Sequence, residues 1–383
     1  MNNDVSRTRV IGVDVARCLA LIGMIATHTL PGMVDGSVPW TFQLAAGRAS
    51  ALFAVLAGLS LVLVGGRQPL RGQAWTGMAA GTLVRSAIVG FVGLLIGELD
   101  TGIAVILCYY AFFFVVALPF LALTTRVLVV VTVVWILLAP ALSLYLRRGL
   151  EPTSYDIPSF EMLALPGTLL GEILVTGYYP VLTWMPFLLT GIVIGRMDLR
   201  SARTTKILAV TGGAAVLVSV LVSDLLLARP GVRSTLIATY DVSGWRGDLD
   251  STLTRGLYGV VPTGSPWWLA VRAPHSGTTF ELLMNLGSAA LVLAGCLLLG
   301  RLLPRVSQVV FGAGTITLSL YTLHVLLRTR GFWDGKDLET FLGQAALVLL
   351  IGALFRWGAH RGPLEVLVGE PSAGVRRLVG GRR

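Results

Sequence analysis

The chain of 383 residues is 55% hydrophobic and only 13% charged, with a mean hydropathy of +0.79 and a formal net charge of +10. Soluble domains carry about 25% charged residues, so this composition excludes an ordinary globular enzyme and indicates a membrane protein. The basic residues lie at helix ends and in the C-terminal tail instead of on one polar face, which excludes nucleic acid as a partner and favours anionic lipid headgroups.

Apolar runs long enough to cross a bilayer predict an all-α polytopic bundle of about ten transmembrane helices. The first run contains Asp14, Arg17 and His28, so we expect it to be retained as a spanning helix and not removed as a signal peptide. We expect the bundle to occupy residues 1–360 and a basic cytoplasmic tail to occupy residues 361–383. The predicted spans lie near residues 10–30, 47–65, 78–98, 102–123, 127–146, 177–196, 207–227, 280–300, 306–328 and 340–360.

Loop charge predicts the orientation of the chain in the plasma membrane. With the N-terminus in the cytoplasm, the inner segments hold many more Arg and Lys than Asp and Glu, whereas the outer segments hold more acidic than basic residues. Both termini are therefore predicted to be cytoplasmic, which agrees with an even number of helices. The two long connections, 147–176 and 228–279, then lie outside, where contact with a substrate or partner is expected.

The first predicted helix carries three ionisable residues at membrane depth. Asp14 and Arg17 are spaced to pair on one helical face, and His28 falls close to the same face, about 21 Å further along the helix. In one interpretation this stripe lines a substrate cavity and His28 acts as a base, because a histidine titrates near neutral pH. In the other, Asp14 and Arg17 form a helix-end ion pair and His28 is an interfacial side chain.

The ninth predicted helix carries a second polar stripe, formed by Thr317, Tyr321, His324 and Arg328 on one face. His324 lies near the outer end at about the depth of His28, so the two histidines are predicted to face one cavity. The alternative is that Thr317 and Tyr321 only form hydrogen bonds to neighbouring helices.

Two further residues are candidates for a site. Arg85 lies seven residues into the predicted third helix, near the cytoplasmic side, where it either binds a phosphate or pairs with Asp14, or else extends to the lipid headgroups. His275 lies in the loop before the eighth helix, where it either contacts an acceptor molecule or is a solvated residue.

Several classes of activity lack their sequence motifs. The chain has no phosphate-binding Walker loop and no G-x-S-x-G nucleophile motif, which excludes an ATP-driven pump and an α/β-hydrolase. Four histidines are too few for an evident metal cluster, so we predict no metal site and no permanently bound cofactor.

The segment from Arg9 to His28, RVIGVDVARCLALIGMIATH, resembles the first helix of the transmembrane acyltransferase superfamily, which includes heparan-α-glucosaminide N-acetyltransferase. The segment from Trp40 to Ser60 looks like the second helix of the same enzyme family. The segments from Gly314 to His324 and from Arg361 to Glu365 are similar to related uncharacterised bacterial membrane proteins. The likeness touches both ends of the chain, and the four quoted segments contain 57 of its 383 residues.

This resemblance implies an acyl-CoA donor that binds from the cytoplasm and an extracytoplasmic sugar or lipid acceptor of the acyl group. It places Asp14, Arg17 and Arg85 near the entrance for coenzyme A. His28 matches a histidine that ends the first helix in some of these enzymes. Relatives of the heparan enzyme carry their catalytic histidine in the following loop, where this chain has Ser37. The base is therefore His28, His275 or His324, or else the chain lacks the reaction.

The resulting prediction is an integral membrane acyltransferase that moves an acetyl or other acyl group from acyl-CoA to a glycan or lipid. One alternative is a transporter or flippase of an amphipathic solute, which would use the same polar stripes without covalent chemistry. A second is a membrane scaffold. The sequence leaves open the acceptor, the acyl chain length and the oligomeric state, a homo-oligomer included.

Overall fold

The fold is helical throughout the part of the chain that the computed structural model describes, residues 9–150, 157–242 and 248–381. These residues form helices and connecting loops and no β-strand, which confirms the predicted all-α fold. The α-helices in chain order are α1 (Ile11–Thr29), α2 (Trp40–Ala45), α3 (Arg48–Gly65), α4 (Gly72–Gly97), α5 (Leu107–Ala117), α6 (Thr125–Arg147), α7 (Pro166–Gly171), α8 (Val181–Arg196), α9 (Ala202–Leu227), α10 (Val232–Val242), α11 (Leu249–Arg255), α12 (Thr279–Leu302), α13 (Pro304–Val310), α14 (Thr317–Leu327), α15 (Leu338–Trp357) and α16 (Pro363–Gly380).

Seven helices of the described residues are long and apolar enough to cross a bilayer: α1, α3 with the short α2 before it, α4, α6, α9, α12 and α15. An eighth span forms if α7, the π-helical turn after it and α8 count as one helix bent by 56°. Two shorter apolar helices, α14 and α5 with its 3-10 extension to Ala122, occupy the positions of the other two predicted spans. The protein is thus a polytopic membrane protein, and the predicted count of ten is approximate.

The ninth predicted span is broken, contrary to the expectation of one helix over 306–328. A 3-10 turn, Gly312–Thr315, separates α13 from α14, and Ile316 is non-helical with φ −133° and ψ 39°. A side chain at Gly312 would meet the carbonyl carbon of Gly352 at 2.9 Å, and one at Gly314 would meet the carbonyl carbon of Asp14 at 2.6 Å. The break therefore lets backbone pack directly on α1 and α15.

The third and fourth predicted spans also differ at their beginnings. Helix α4 begins at Gly72 instead of 78, which places Arg85 near the middle of the helix, about 20 Å from its start, and not near one end. Helix α5 begins at Leu107 instead of 102, and residues 101–106 before it are not helical. Part of that non-helical segment lines the cavity described below.

Helices α1, α3 and α12 form the centre of the bundle, each with roughly two thirds of its most apolar stretch buried. Helix α9 is the opposite case, since only 17% of its apolar stretch is buried within the protein. An apolar helix with an exposed apolar face in a membrane protein contacts lipid, so α9 lies at the periphery.

Helices α3 and α8 approach each other through glycines. A side chain at Gly191 in α8 would overlap the carbonyl group of Val55 and meet the amide nitrogen of Leu59 at 2.8 Å. Gly58 is in the reciprocal position, and a side chain there would meet the Cα atom of Leu188 at 2.9 Å. Small residues permit this close backbone packing, which is a main source of helix association in lipid.

The segment from α10 to the start of α12 forms a cap over one end of the bundle. Its core includes Tyr240 and Trp268, both buried, and Trp268 donates a hydrogen bond from Nε1 to Thr239 at 2.9 Å. The cap packs against the C-terminal ends of α6 and α9, and Ser223 of α9 donates to the carbonyl of Ala270 at 2.7 Å. These aromatic rings therefore hold the cap together.

Residues 363–380 of the predicted tail form helix α16, which packs along α4. Gly77 and Gly380 lie in contact, and Arg376 donates to the carbonyl of Val64 at 2.9 Å. At the other end of α16, the Oε1 atom of Glu365 accepts hydrogen bonds from the amides of Leu318 and Ser319, at 2.8 and 3.2 Å. A carboxylate at this position satisfies the free amides at the start of α14.

Candidate active site

A pair of histidines lies where α1 and α14 meet. The Nδ1 atom of His28 is 3.0 Å from the Nε2 atom of His324, and the two rings are nearly coplanar, with 7° between their planes. The other ring nitrogen of His324, Nδ1, lies 2.7 Å from Oε1 of Gln344 in α15. Helix α1 thus meets α14 and α15, which lie far from it in sequence, in one hydrogen-bonded chain.

A cavity of about 360 Å³ opens beside His28, at the end of the bundle covered by the cap. Aromatic and cationic side chains supply much of its described lining, and Arg255 is the charged residue among them. This lining contains His28, His275, Phe42, Tyr178, Tyr179, Tyr258 and Arg255. A cavity of this size and composition fits a small ligand with a flat apolar face, such as a sugar ring.

His275 lies in the same cavity because the loop before α12 turns inward. It has a positive φ of 54°, and Gly277 after it donates its amide to Oε2 of Glu281 at 3.2 Å. Its ring packs on Tyr178, with centroids 4.4 Å apart, and on the indole ring of Trp184. This loop histidine is therefore not solvated.

Burial determines the protonation of His275. Only 7% of the residue is exposed, and desolvation lowers its pKa from 6.5 to about 3. Its Nδ1 atom has no hydrogen-bond partner within the described ranges. His275 is accordingly neutral at physiological pH, and its Nδ1 atom lies near the cavity wall without a hydrogen bond to the described residues.

The polar groups at the other end of α1 form a separate cluster. Asp14 pairs with Arg17 at 3.4 Å and accepts a 2.6 Å bond from Nε of Arg9. Arg17 also donates to Ser60 of α3 at 2.5 Å. The predicted pairing of Asp14 with Arg17 is thus present, together with two partners that the spacing did not indicate.

Arg85 lies close to this cluster but is not paired with Asp14. Its guanidinium carbon lies 5.5 Å from the centre of the Phe114 ring, and it forms no ion pair or hydrogen bond in the described part of the chain. Its electrostatic neighbours are two other cations, Arg17 and Arg376 of α16. Arg85 therefore has no carboxylate partner among the described residues, and a guanidinium group in that position is suited to an anion such as a phosphate.

The structure therefore divides the six predicted residues into two groups. His28, His324 and His275 lie at the capped end, although His324 is fully buried behind His28 and does not line the cavity. Asp14 and Arg17 lie toward the other end of α1, with Arg85 of the middle of α4 beside Arg17, and none of the three lines this cavity. The prediction that His28 and His324 face one cavity is therefore wrong for His324, which contacts His28 but does not line the cavity.

Sequence reasoning missed Gln344, Tyr178 and Tyr179. Gln344 is fully buried in the apolar stretch of α15, and an amide at that depth is a signal that a hydrogen-bond partner is present. Tyr178 and Tyr179 lie in the break between α7 and α8, and the Tyr-Tyr-Pro run between two apolar segments was the available sign of a broken helix.

Comparison with protein families gives one match. Residues 9–227, more than half of the chain, match the family model described as heparan-alpha-glucosaminide N-acetyltransferase, catalytic. The matched region contains His28 and the cluster of Asp14, Arg17 and Arg85, whereas His275, His324 and Gln344 follow it in the chain. No curated protein matches the chain.

Proposed function

The chain belongs to the heparan-alpha-glucosaminide N-acetyltransferase catalytic family, and on that premise we propose that it is a membrane acyltransferase that uses acetyl-CoA or another acyl-CoA. The observation that carries this proposal is the contact of His28 with His324 beside a ligand-sized cavity. A histidine held by a hydrogen bond at a cavity wall has the arrangement that a general base requires.

In the proposed reaction, His28 removes the proton from a hydroxyl or amine of the acceptor as that atom attacks the thioester carbonyl. The new carbon–oxygen or carbon–nitrogen bond forms, the carbon–sulfur bond breaks, and the coenzyme A sulfur takes the proton from His28. His324 holds the ring of His28 throughout, and the aromatic residues Phe42 and Tyr258 support a sugar or lipid acceptor in the cavity. We assign no proton transfer to His275, whose neutral ring packs in the aromatic wall.

The donor is proposed to enter at the opposite end of α1. The three guanidinium groups of Arg17, Arg85 and Arg376 would hold the phosphates of coenzyme A there. We therefore propose a plasma membrane protein with that end of α1 and both termini in the cytoplasm and the capped end outside. The excess of basic residues in the segments on the proposed cytoplasmic side supports the same orientation.

The test uses the purified protein in lipid nanodiscs with radiolabelled acetyl-CoA, measuring hydrolysis and transfer to glucosamine and to other sugars and lipids. We expect activity that His28→Ala lowers by about 10²-fold or more, while the exposed His360→Ala variant serves as the matched control and stays active. Lack of both acetyl-CoA binding and turnover would exclude the enzyme, and equal activity of the two variants would exclude His28 as the base.

One observation favours a second candidate, a transporter or flippase. The span formed by α7 and α8 is broken, and the break contributes Tyr178 and Tyr179 to the cavity. Broken helices at a binding site are typical of secondary transporters. Movement of a labelled amphipathic solute across proteoliposomes without any acetyl transfer would favour this function over the enzyme.

A further inference from the structure

We propose that Gln344 is a positioning residue that fixes the tautomers of both histidines, so that His28 presents an unprotonated Nε2 atom at the cavity. This inference deepens the proposed function and rests on it for its catalytic meaning. Its structural content, the position of two protons, can be measured without any reaction.

The orientation of the Gln344 amide is determined by its second contact. Its Nε2 atom donates to the backbone carbonyl of Trp333 at 2.9 Å, so the amide nitrogen faces that carbonyl. The Oε1 atom therefore faces His324, where it lies 2.7 Å from Nδ1. A carbonyl oxygen can only accept a hydrogen bond, so the Nδ1 atom of His324 must carry the proton.

The proton on His324 in turn determines the proton on His28. A neutral histidine with its proton on Nδ1 has a lone pair on Nε2, and this atom lies 3.0 Å from Nδ1 of His28. Nδ1 of His28 must then be the donor. The lone pair of His28 is left on Nε2, on the ring edge away from His324, where it can accept the acceptor's proton.

Burial and a second set of bonds keep this chain in one arrangement. Gln344 and His324 are both fully buried, so water does not offer an alternative partner to either side chain. The Trp333 carbonyl is held in place from α14, since the amide of Trp333 donates to the carbonyl of Leu327 at 3.1 Å. Arg328 also donates to the carbonyl of Gly335 at 2.6 Å. A flipped Gln344 amide would place its oxygen against the carbonyl oxygen of Trp333, where neither atom can donate a hydrogen bond.

The experiment measures histidine tautomers by ¹⁵N NMR in the purified protein, with His28→Gln to assign the signal of His28. In the wild-type protein we expect His28 and His324 each to carry the proton on Nδ1. In Gln344→Met, which removes the acceptor at similar volume, we expect His28 to show a mixture of tautomers and acetyl transfer to fall in proportion to the fraction of His28 that no longer carries its proton on Nδ1. The exposed Gln73→Met variant is the matched control and should change neither quantity.

Gln344→Glu tests whether the hydrogen bonds of this side chain, and not merely the presence of glutamine, determine the tautomers. A protonated Glu side chain can accept from His324 and donate to Trp333, so we expect it to retain the wild-type tautomers and most of the transfer rate. A wild-type His28 with its proton on Nε2, or a His28 tautomer that Gln344→Met leaves unchanged, would overturn the inference. Wild-type protein with the expected tautomers and no acetyl transfer would instead overturn the proposed function alone.

Discussion

His275→Asn should remove part of the acid sensitivity of the protein. His275 has a pKa of about 3 when folded and 6.5 as its ordinary value, so the unfolded state binds a proton that the folded state excludes between these pH values. The free energy of unfolding therefore falls as pH falls below 6.5, by about 1.4 kcal/mol per pH unit from this residue, and the loss ends near pH 3. At pH 5 the loss amounts to about 2 kcal/mol.

Asparagine suits this test because it is neutral at every pH and tolerates the positive φ of position 275. The assay is denaturant unfolding in mild detergent at pH 8, 6, 5 and 4. The variant loses ring packing and is less stable at pH 8, so the informative quantity is the slope of stability against pH. We expect that slope to decrease by about 1.4 kcal/mol per pH unit relative to wild type. The exposed His360→Asn variant should leave the slope unchanged. Equal slopes for wild type and His275→Asn would refute the argument that this ring is buried and neutral.

Three further predictions concern packing and the donor end. Gly191→Ala should destabilise the protein by about 1–3 kcal/mol in detergent unfolding, because its Cβ atom would overlap the backbone of α3. Gly213→Ala, with open space around it, should be neutral or stabilise by up to about 1 kcal/mol, and equal effects would contradict the packing model. Glu365→Gln should weaken the start of α14 by about 1 kcal/mol and speed hydrogen exchange in α16, whereas unchanged exchange would show that the carboxylate does not hold this helix. Arg85→Gln should raise the KM for acetyl-CoA about tenfold or more, and the exposed Arg126→Gln should not, so a KM unaltered by Arg85→Gln would remove Arg85 from the donor site.

Much of the fold could be predicted from the sequence, because a bilayer requires long apolar runs wherever a helix crosses. The break before α14 was not predicted, since the contacts that require it, those of Gly312 and Gly314 with other helices, are tertiary. The apolar runs alone also predict Arg85 near the end of a helix, because the helix extends beyond its apolar run to Gly72.

The candidate site could be predicted only within single helices. The helical period places Asp14 and Arg17 side by side, and the structure has that pair. Contact between His28 and His324 depends on how α1 and α14 cross, which no local spacing determines. The buried position of His275 depends on the cap folding over its loop, so a loop residue that looks solvated in sequence is enclosed in the structure.

The hydrogen-bonded chain of His28, His324 and Gln344 also has a consequence for biosynthesis. His28 is synthesised before both of its partners, which follow it by 296 and 316 residues. An arrested or truncated product that ends after α12 would contain the family-matched region and His28 but no partner to orient the ring. A nascent chain of that length therefore lacks the hydrogen bonds that would orient His28 for the proposed reaction.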